Sequence, residues 1–370
     1  MPSARRHLPL SRRRTLGLLV GGLAAPAVAR ADVALRVRSF SIATGGLGGT
    51  YYPVGGVLAN LLTAPPGGLD CRPGEPCGVV DMVAVAQTSE GSVANVKGLR
   101  QGLVDSAFCQ ADVAFQAWRG EGPFVTEPMP NLRVIASLYP EMAQLVVLDE
   151  AQARPLRLAI GAPGSGTRVA AERLLHGFGL DNADTERLEL NPGPSIDAML
   201  TGQLDGFLTV AGLPTPAVHE ALELLDARLV GTHLQAAREF LRERSFWGLR
   251  TIPAGLYPGQ ERTLRTLAVA ALWVVDANLD DGLVFEILAA LWAPEAVPVL
   301  TAGHPVGAHI TLASALEGIS VPLHPAASQF YREQGLLGPA AGFSHPPPPL
   351  IGPPEPPEAD PALPLPLLSP

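Results

Sequence analysis

Lysine is almost absent from this chain of 370 residues. Lys97 is the only one, and arginine supplies the rest of the 26 basic residues. Acids outnumber them at 35, leaving a formal charge of −9. Nucleic-acid binders usually carry a basic face, so this balance argues against that class. Long apolar runs are missing too. Leu16–Val28 and the twelve residues Leu264–Val275 are each too short to span a bilayer comfortably. The second reads as a buried strand or core helix. Cysteine is scarce, with Cys71, Cys77 and Cys109. No C-x-x-C occurs, and His304 and His309 do not share a helix face, so no metal site is expected. Cys109 sits in the apolar run Ala107-Phe-Cys109 and reads as a small core residue.

What is present begins with an export signal. Arg5, Arg6 and Arg12–Arg14 precede the apolar run, and Ala27-Val-Ala29 or Ala29-Arg-Ala31 follows as a cleavage site. Ser11-Arg-Arg-Arg-Thr-Leu16 also resembles a twin-arginine signal. Residues 1–31 hold six arginines and no acid, so a mature chain starting near Asp32 carries about −15. Export to an oxidising compartment would allow a disulfide between Cys71 and Cys77, which flank the turn-rich Arg-Pro-Gly-Glu-Pro. At the other end, residues 344–370 hold 12 prolines among 27 residues and cannot bury a core, so a disordered tail is expected.

The organising stretch runs from Phe40 to Leu62. An apolar strand, Phe40–Ala43, enters a turn with Gly45, Gly46, Gly48 and Gly49, and a helix follows with Pro53 in its first turn. Strand, glycine turn and helix start leave free N–H groups at the positive end of a helix dipole, a spot that favours an anion. The pattern recurs at Leu158–Gly161, Ala162-Pro-Gly-Ser-Gly-Thr167 and the helix beyond. Later, Gly102-Leu-Val-Asp105 before Ser106–Cys109 is matched by Gly202-Gln-Leu-Asp205 before Phe207–Val210. The length suits about two domains. We read two similar α/β lobes whose strand ends face one cleft, where ligands of open α/β sheets sit. Leu132–Leu148 reads as a β stretch broken at Tyr139-Pro-Glu141, and Thr251–Pro258 as a return crossing.

Thr44-Gly-Gly-Leu-Gly-Gly-Thr-Tyr-Tyr-Pro-Val-Gly, Thr88-Ser-Glu-Gly-Ser92, Gln110-Ala-Asp112 and Gly161-Ala-Pro-Gly-Ser-Gly-Thr-Arg168 form an ordered set with Ala211-Gly-Leu-Pro214 and Val321-Pro-Leu-His-Pro-Ala-Ala-Ser-Gln-Phe-Tyr-Arg-Glu-Gln-Gly335. Together, from about residue 38 to 338, they resemble the TAXI-type solute receptors of TRAP transporters. The resemblance implies a two-lobed periplasmic-binding-protein fold, type II-like, with two hinge crossings. It also implies delivery of a small organic anion, glutamate-like or a 2-oxo or dicarboxylate compound, to TRAP-type membrane permease subunits. Ala111 and the His324-Pro-Ala-Ala segment depart from the family's usual Gln-Ser-Asp and His-Pro-Gly-Ala.

The expected division is a signal peptide over 1–31, lobe I over 32–140 and 250–343, lobe II over 141–249, and the tail. Hinges are expected near Ser137–Gln144 and Leu249–Tyr257, with few cleft side chains. Ligand contacts are expected from Thr44, Thr50, Tyr51, Ser89, Ser92, Gln110, Ser165, Gly166, Thr167 and Gly212. Thr50, Ser92, Ser165 and Thr167 serve equally well as helix caps, since capping and anion binding share a geometry. Arg168 suits either a ligand carboxylate or an acid on the lobe surface. No cofactor and no catalytic group is expected. The run Gly161–Thr167 mimics a phosphate loop without its lysine, and Ser165 lacks the nucleophile-elbow pattern because Pro163 stands two before it. A sensor subunit presenting ligand to a kinase would share the whole fold. N-terminal sequencing of protein from the periplasmic fraction is expected to begin near Asp32, and an intact Met1 there would overturn the export reading.

Overall fold

The computed structural model describes residues 37–64, 76–151, 155–180, 182–243 and 246–338. The expected signal peptide, Cys71 and the expected disordered tail lie outside the described residues.

The chain opens with β1 (Arg38–Ala43), α1 (Tyr51–Leu62), the short β2 (Thr63–Ala64) and β3 (Val79–Val80), and β4 (Met82–Gln87). α2 (Ser92–Arg100), β5 (Ser106–Gln110), α3 (Ala111–Arg119) and the long β6 (Leu132–Leu148) follow. A second series repeats the order: β7 (Leu156–Ala159), α4 (Gly166–Gly177), β8 (Thr185–Leu188), α5 (Pro192–Leu200), β9 (Gly206–Ala211), α6 (Pro216–Leu224) and β10 (Ala227–Val230). After α7 (Leu234–Glu243) come β11 (Trp247–Ile252), β12 (Leu264–Asp276), α8 (Asp281–Leu291), α9 (Ala296–Gly303) and α10 (Pro325–Glu333).

The sheet order makes the repeat explicit. β1 lies between β4 and β5 in parallel, and β7 lies between β8 and β9 in parallel. Each third strand then meets a long strand antiparallel: β5 pairs β12 and β9 pairs β6. β6 and β12 also pair with each other, so the two halves share one continuous sheet. The fold is α/β. The apolar run Leu264–Val275 is a strand rather than a helix because its neighbours, β5, β6 and β11, are strands that cover its edges. Leu267–Val275 is buried on both faces, as its unbroken apolar pattern requires.

The repeated Gly-x-x-Asp segments do the same work twice. Asp105 Oδ2 accepts from the backbone N–H and the hydroxyl of Ser41 in β1, both at 2.7 Å. Asp205 Oδ2 accepts from the backbone N–H of Arg157 in β7 at 2.7 Å, and Oδ1 pairs with its guanidinium. Each carboxylate ties the third strand of its half to the first. Hydrogen bonding to Arg157 holds the Asp205 carboxyl below its ordinary range against the opposing cost of burial.

One expectation is corrected. β6 is not broken at Tyr139-Pro-Glu141 but runs through it as a 17-residue strand. The irregularity is absorbed in its pairing with β12, where the register skips Leu138 and again Ile135. Bulges of this kind let a strand carry proline without ending. The expected division at 140/141 and at 249/250 therefore falls inside β6 and β11. The packing around β12 places Cys109 in the core as a free thiol, while Cys77 is disulfide-bonded. Thiol titration in denaturant without reductant is expected to find one reactive group, Cys109; three would rule out a Cys71–Cys77 bridge.

Candidate functional site

Six strand-to-helix turns meet at one cleft of about 610 Å³. From the first half come the Gly45–Thr50 turn ahead of α1, Thr88–Gly91 ahead of α2, and Gln110 at the start of α3. Ser165 ahead of α4, Asn191 ahead of α5 and the end of β9 close it from the second half. All are at the carboxyl ends of their strands, where helix N-termini point the same way.

The two walls touch. The Gly164 carbonyl accepts from the N–H groups of Val93 and Ala94 at 3.0 and 3.1 Å, capping α2 from the opposite half. Thr50 donates its hydroxyl to the Gly212 carbonyl at 3.0 Å, and Ala217 N–H donates to the Gly48 carbonyl at 3.1 Å. Asn191 Nδ2 donates to Glu90 Oε2 at 2.6 Å. Gly164 is required for the first of these contacts, because a Cβ there would come within 2.6 Å of Glu90 Cβ.

Eight of the ten expected site residues line the cleft: Thr50, Tyr51, Ser89, Ser92, Gln110, Ser165, Gly166 and Thr167. Thr44 and Gly212 are not among the lining residues. The Thr44 hydroxyl donates to the Gln87 carbonyl at 2.6 Å, and Gly212 serves through the carbonyl that holds Thr50. Several lining hydroxyls already have structural partners. Ser165 Oγ caps α4 by accepting from Arg168 N–H at 3.1 Å and donates to the Ala162 carbonyl. Ser92 Oγ accepts from Gln110 N–H, and Thr167 Oγ1 accepts from Val210 N–H. Arg168 takes the surface alternative, pairing with Glu189 at 2.9 Å outside the cleft.

Two groups at the cleft stand out for what they lack. The N–H groups of Gly166 and Thr167, first in α4, have no acceptor among the described residues. Gln110, 2% exposed, has its Oε1 buried without a partner. No arginine, lysine or histidine is among the lining residues, so the positive potential comes from backbone dipoles.

The sequence reading missed Glu141. It is 2% exposed, lines the cleft, and its Oε2 accepts from the Tyr51 hydroxyl at 2.8 Å. The crossing near Ser137–Gln144 was expected to bear few cleft side chains, and Glu141 corrects that. The signal was a lone acid inside an otherwise apolar β run, a position expensive for a charge unless it has a task. Burial pushes the Glu141 carboxyl well above its ordinary range, and the negative Asp112 adds to this against the bond from Tyr51. Burial followed by the Glu141 charge pushes the Tyr51 phenol up likewise.

The chain belongs to the NMT1-like family, whose model matches residues 42–335. Among solved structures it is similar to the ligand-binding component of an ABC-type import system from Staphylococcus aureus with zinc bound. That pair shares 10% identity over 82% of this chain and 94% of the other, at a TM-score of 0.44. It is similar also to the periplasmic aliphatic sulphonate binding protein of Escherichia coli, at 13% identity over 80% and 83% and a TM-score of 0.40. A nutrient binding protein from Burkholderia cenocepacia bound to methionine matches at 11% identity over 71% and 95%, with a TM-score of 0.40.

Glu141 yields a test of the electrostatics. A carboxyl whose folded pKa is raised binds its proton more tightly folded than unfolded. Its contribution is full below the unfolded value and is lost as pH rises through the folded one. The wild type is therefore expected to lose melting temperature as pH climbs above the ordinary carboxyl value of 4.5 toward the raised one. Glu141→Gln keeps an oxygen for Tyr51 and should flatten that slope. Parallel melting curves for the two proteins would remove Glu141 as the cause.

Proposed function

We propose that the chain is an exported solute-binding receptor that captures a small organic anion between two lobes and delivers it to a TRAP-type membrane permease. Lobe I comprises residues 32–140 and 250–343, and lobe II residues 141–249. The observation that carries this reading is the cleft itself. Facing strand-to-helix turns from two similar halves wall one cavity, and the first N–H groups of α4 have no acceptor among the described residues. A carboxylate seated on those groups meets the positive end of a helix dipole.

Closure follows from the contacts across the cleft. The bonds at Gly164, Thr50, Ala217 and Asn191 exist only when the two walls meet. A ligand held by both walls gains its full set of contacts only in that arrangement, so it shifts the population toward closure by its differential affinity. The Ser165 hydroxyl is engaged as a helix cap, an arrangement suited to holding a turn rather than to nucleophilic attack. The ordered motifs shared with TAXI-type receptors support glutamate-like or 2-oxo and dicarboxylate solutes and a TRAP-type partner.

Gly166→Ala is the direct test. A Cβ at this position would stand 2.4 Å from Gln110 Oε1 and 2.8 Å from Ser92 Oγ, at the floor of the cleft. The overlap forces the buried Gln110 side chain to shift, so melting temperature should fall, and affinity is read at a temperature where the variant remains folded. Affinity for L-glutamate or 2-oxoglutarate should fall about tenfold or more, the equivalent of about 1.4 kcal/mol. Titration calorimetry showing wild-type affinity in the variant would place the ligand elsewhere.

A further inference from the structure

β5, β12 and β6 lie side by side, with Gln110 opposite Ala271 and Ala271 opposite Tyr139. Two residues along β6, Glu141 stands opposite Val269. Residues facing each other across antiparallel strands project from one face, as do residues two apart on a strand. Gln110, Tyr139 and Glu141 therefore share a face of the sheet, and Gln110 and Glu141 both line the cleft. Gln110 Oε1 is buried and unpartnered. Glu141 Oε2 is bound by Tyr51, whereas its Oε1 has no donor among the described residues.

The groups that act on Glu141 and its hydroxyl partner from the packed elements are Tyr51 on α1, Cys109 on β5, Asp112 on α3 and Tyr139 on its own strand. None carries positive charge. A buried acceptor pair without a protein cation calls for a donor from the ligand.

We propose that Glu141 is the specificity-determining residue of the cleft, taking a protonated amine of the ligand with Gln110 Oε1 as second acceptor. The cleft then selects α-amino acids over 2-oxo acids of the same skeleton. This assignment rests on the receptor reading above. In that reading the ligand carboxylate sits on the N–H groups of Gly166 and Thr167, beside which Gln110 Oε1 lies. A 2-oxo acid places a carbonyl oxygen where the amine would stand, setting acceptor against acceptor and leaving buried groups unpaired. Burial strengthens the hold of the Glu141 carboxyl on a proton, whereas a ligand ammonium beside it favours the charged form, so that an ion pair forms.

The test is titration calorimetry of the mature protein at pH 7 with L-glutamate, L-glutamine, 2-oxoglutarate and succinate. One of the amino acids is expected to bind at least about a hundredfold more tightly than 2-oxoglutarate, as a site built for a polar group rejects an analogue lacking it. Glu141→Gln should lower the preference below about tenfold. Equal binding of 2-oxoglutarate overturns the assignment. So does an amino-acid preference that persists unchanged in a Glu141→Gln protein with wild-type melting. In both cases the receptor reading still stands. The wild-type affinity ratio decides independently of how the variant folds. No binding of any of the four compounds would overturn the acidic-solute reading together with the assignment.

Discussion

The pairing of β6 with β12 is the constraint on which the rest depends. Two long apolar strands lying antiparallel give each half of the sheet its last neighbour and carry the chain from one half to the other. The same pairing fixes the cleft floor. Because the register sets Tyr139 opposite Ala271 and Glu141 opposite Val269, the polar groups of β6 emerge beside Gln110 rather than on the far face. A shift of one residue would turn Glu141 into the opposite layer. The bulges at Leu138 and Ile135 are thus part of how the site is aimed.

The walls of the cleft are joined by hydrogen bonds, of which the one from Asn191 to Glu90 involves a charged side chain. Each such bond contributes about 0.5–1.5 kcal/mol net. Contacts of that size can be broken and re-formed without touching the cores behind them. The cap on α2 supplied by Gly164 is the most economical example. It satisfies the helix start while the walls are together and exposes it to water when they part.

Much of this was legible in the residues. The glycine turn after β1, the copy of it after β7, and the paired Asp105 and Asp205 segments revealed the repeat because strand-to-helix turns and helix ends have strong local chemistry. What escaped the sequence was non-local. Pro140 suggested a break because proline lacks a ladder donor, but its consequence depended on how β12 could slip past it. Glu141 looked like part of that break. Thr44 shared a motif with the cleft residues, yet its hydroxyl turns down to Gln87. Which of several hydroxyls faces a ligand and which holds a neighbouring turn is decided by partners far along the chain, as with Thr50 and Gly212 or Thr167 and Val210.

The late position of β12 also bears on synthesis. Gln110 at the end of β5 waits for Ala271, and the first half lacks its antiparallel neighbour until residues 264–276 have been made. Such long-range closure is slow, since the entropy of bringing distant segments together precedes any reward from their contacts. The first half of the sheet is completed only after the second half has been synthesised, so the two halves finish folding together rather than in turn.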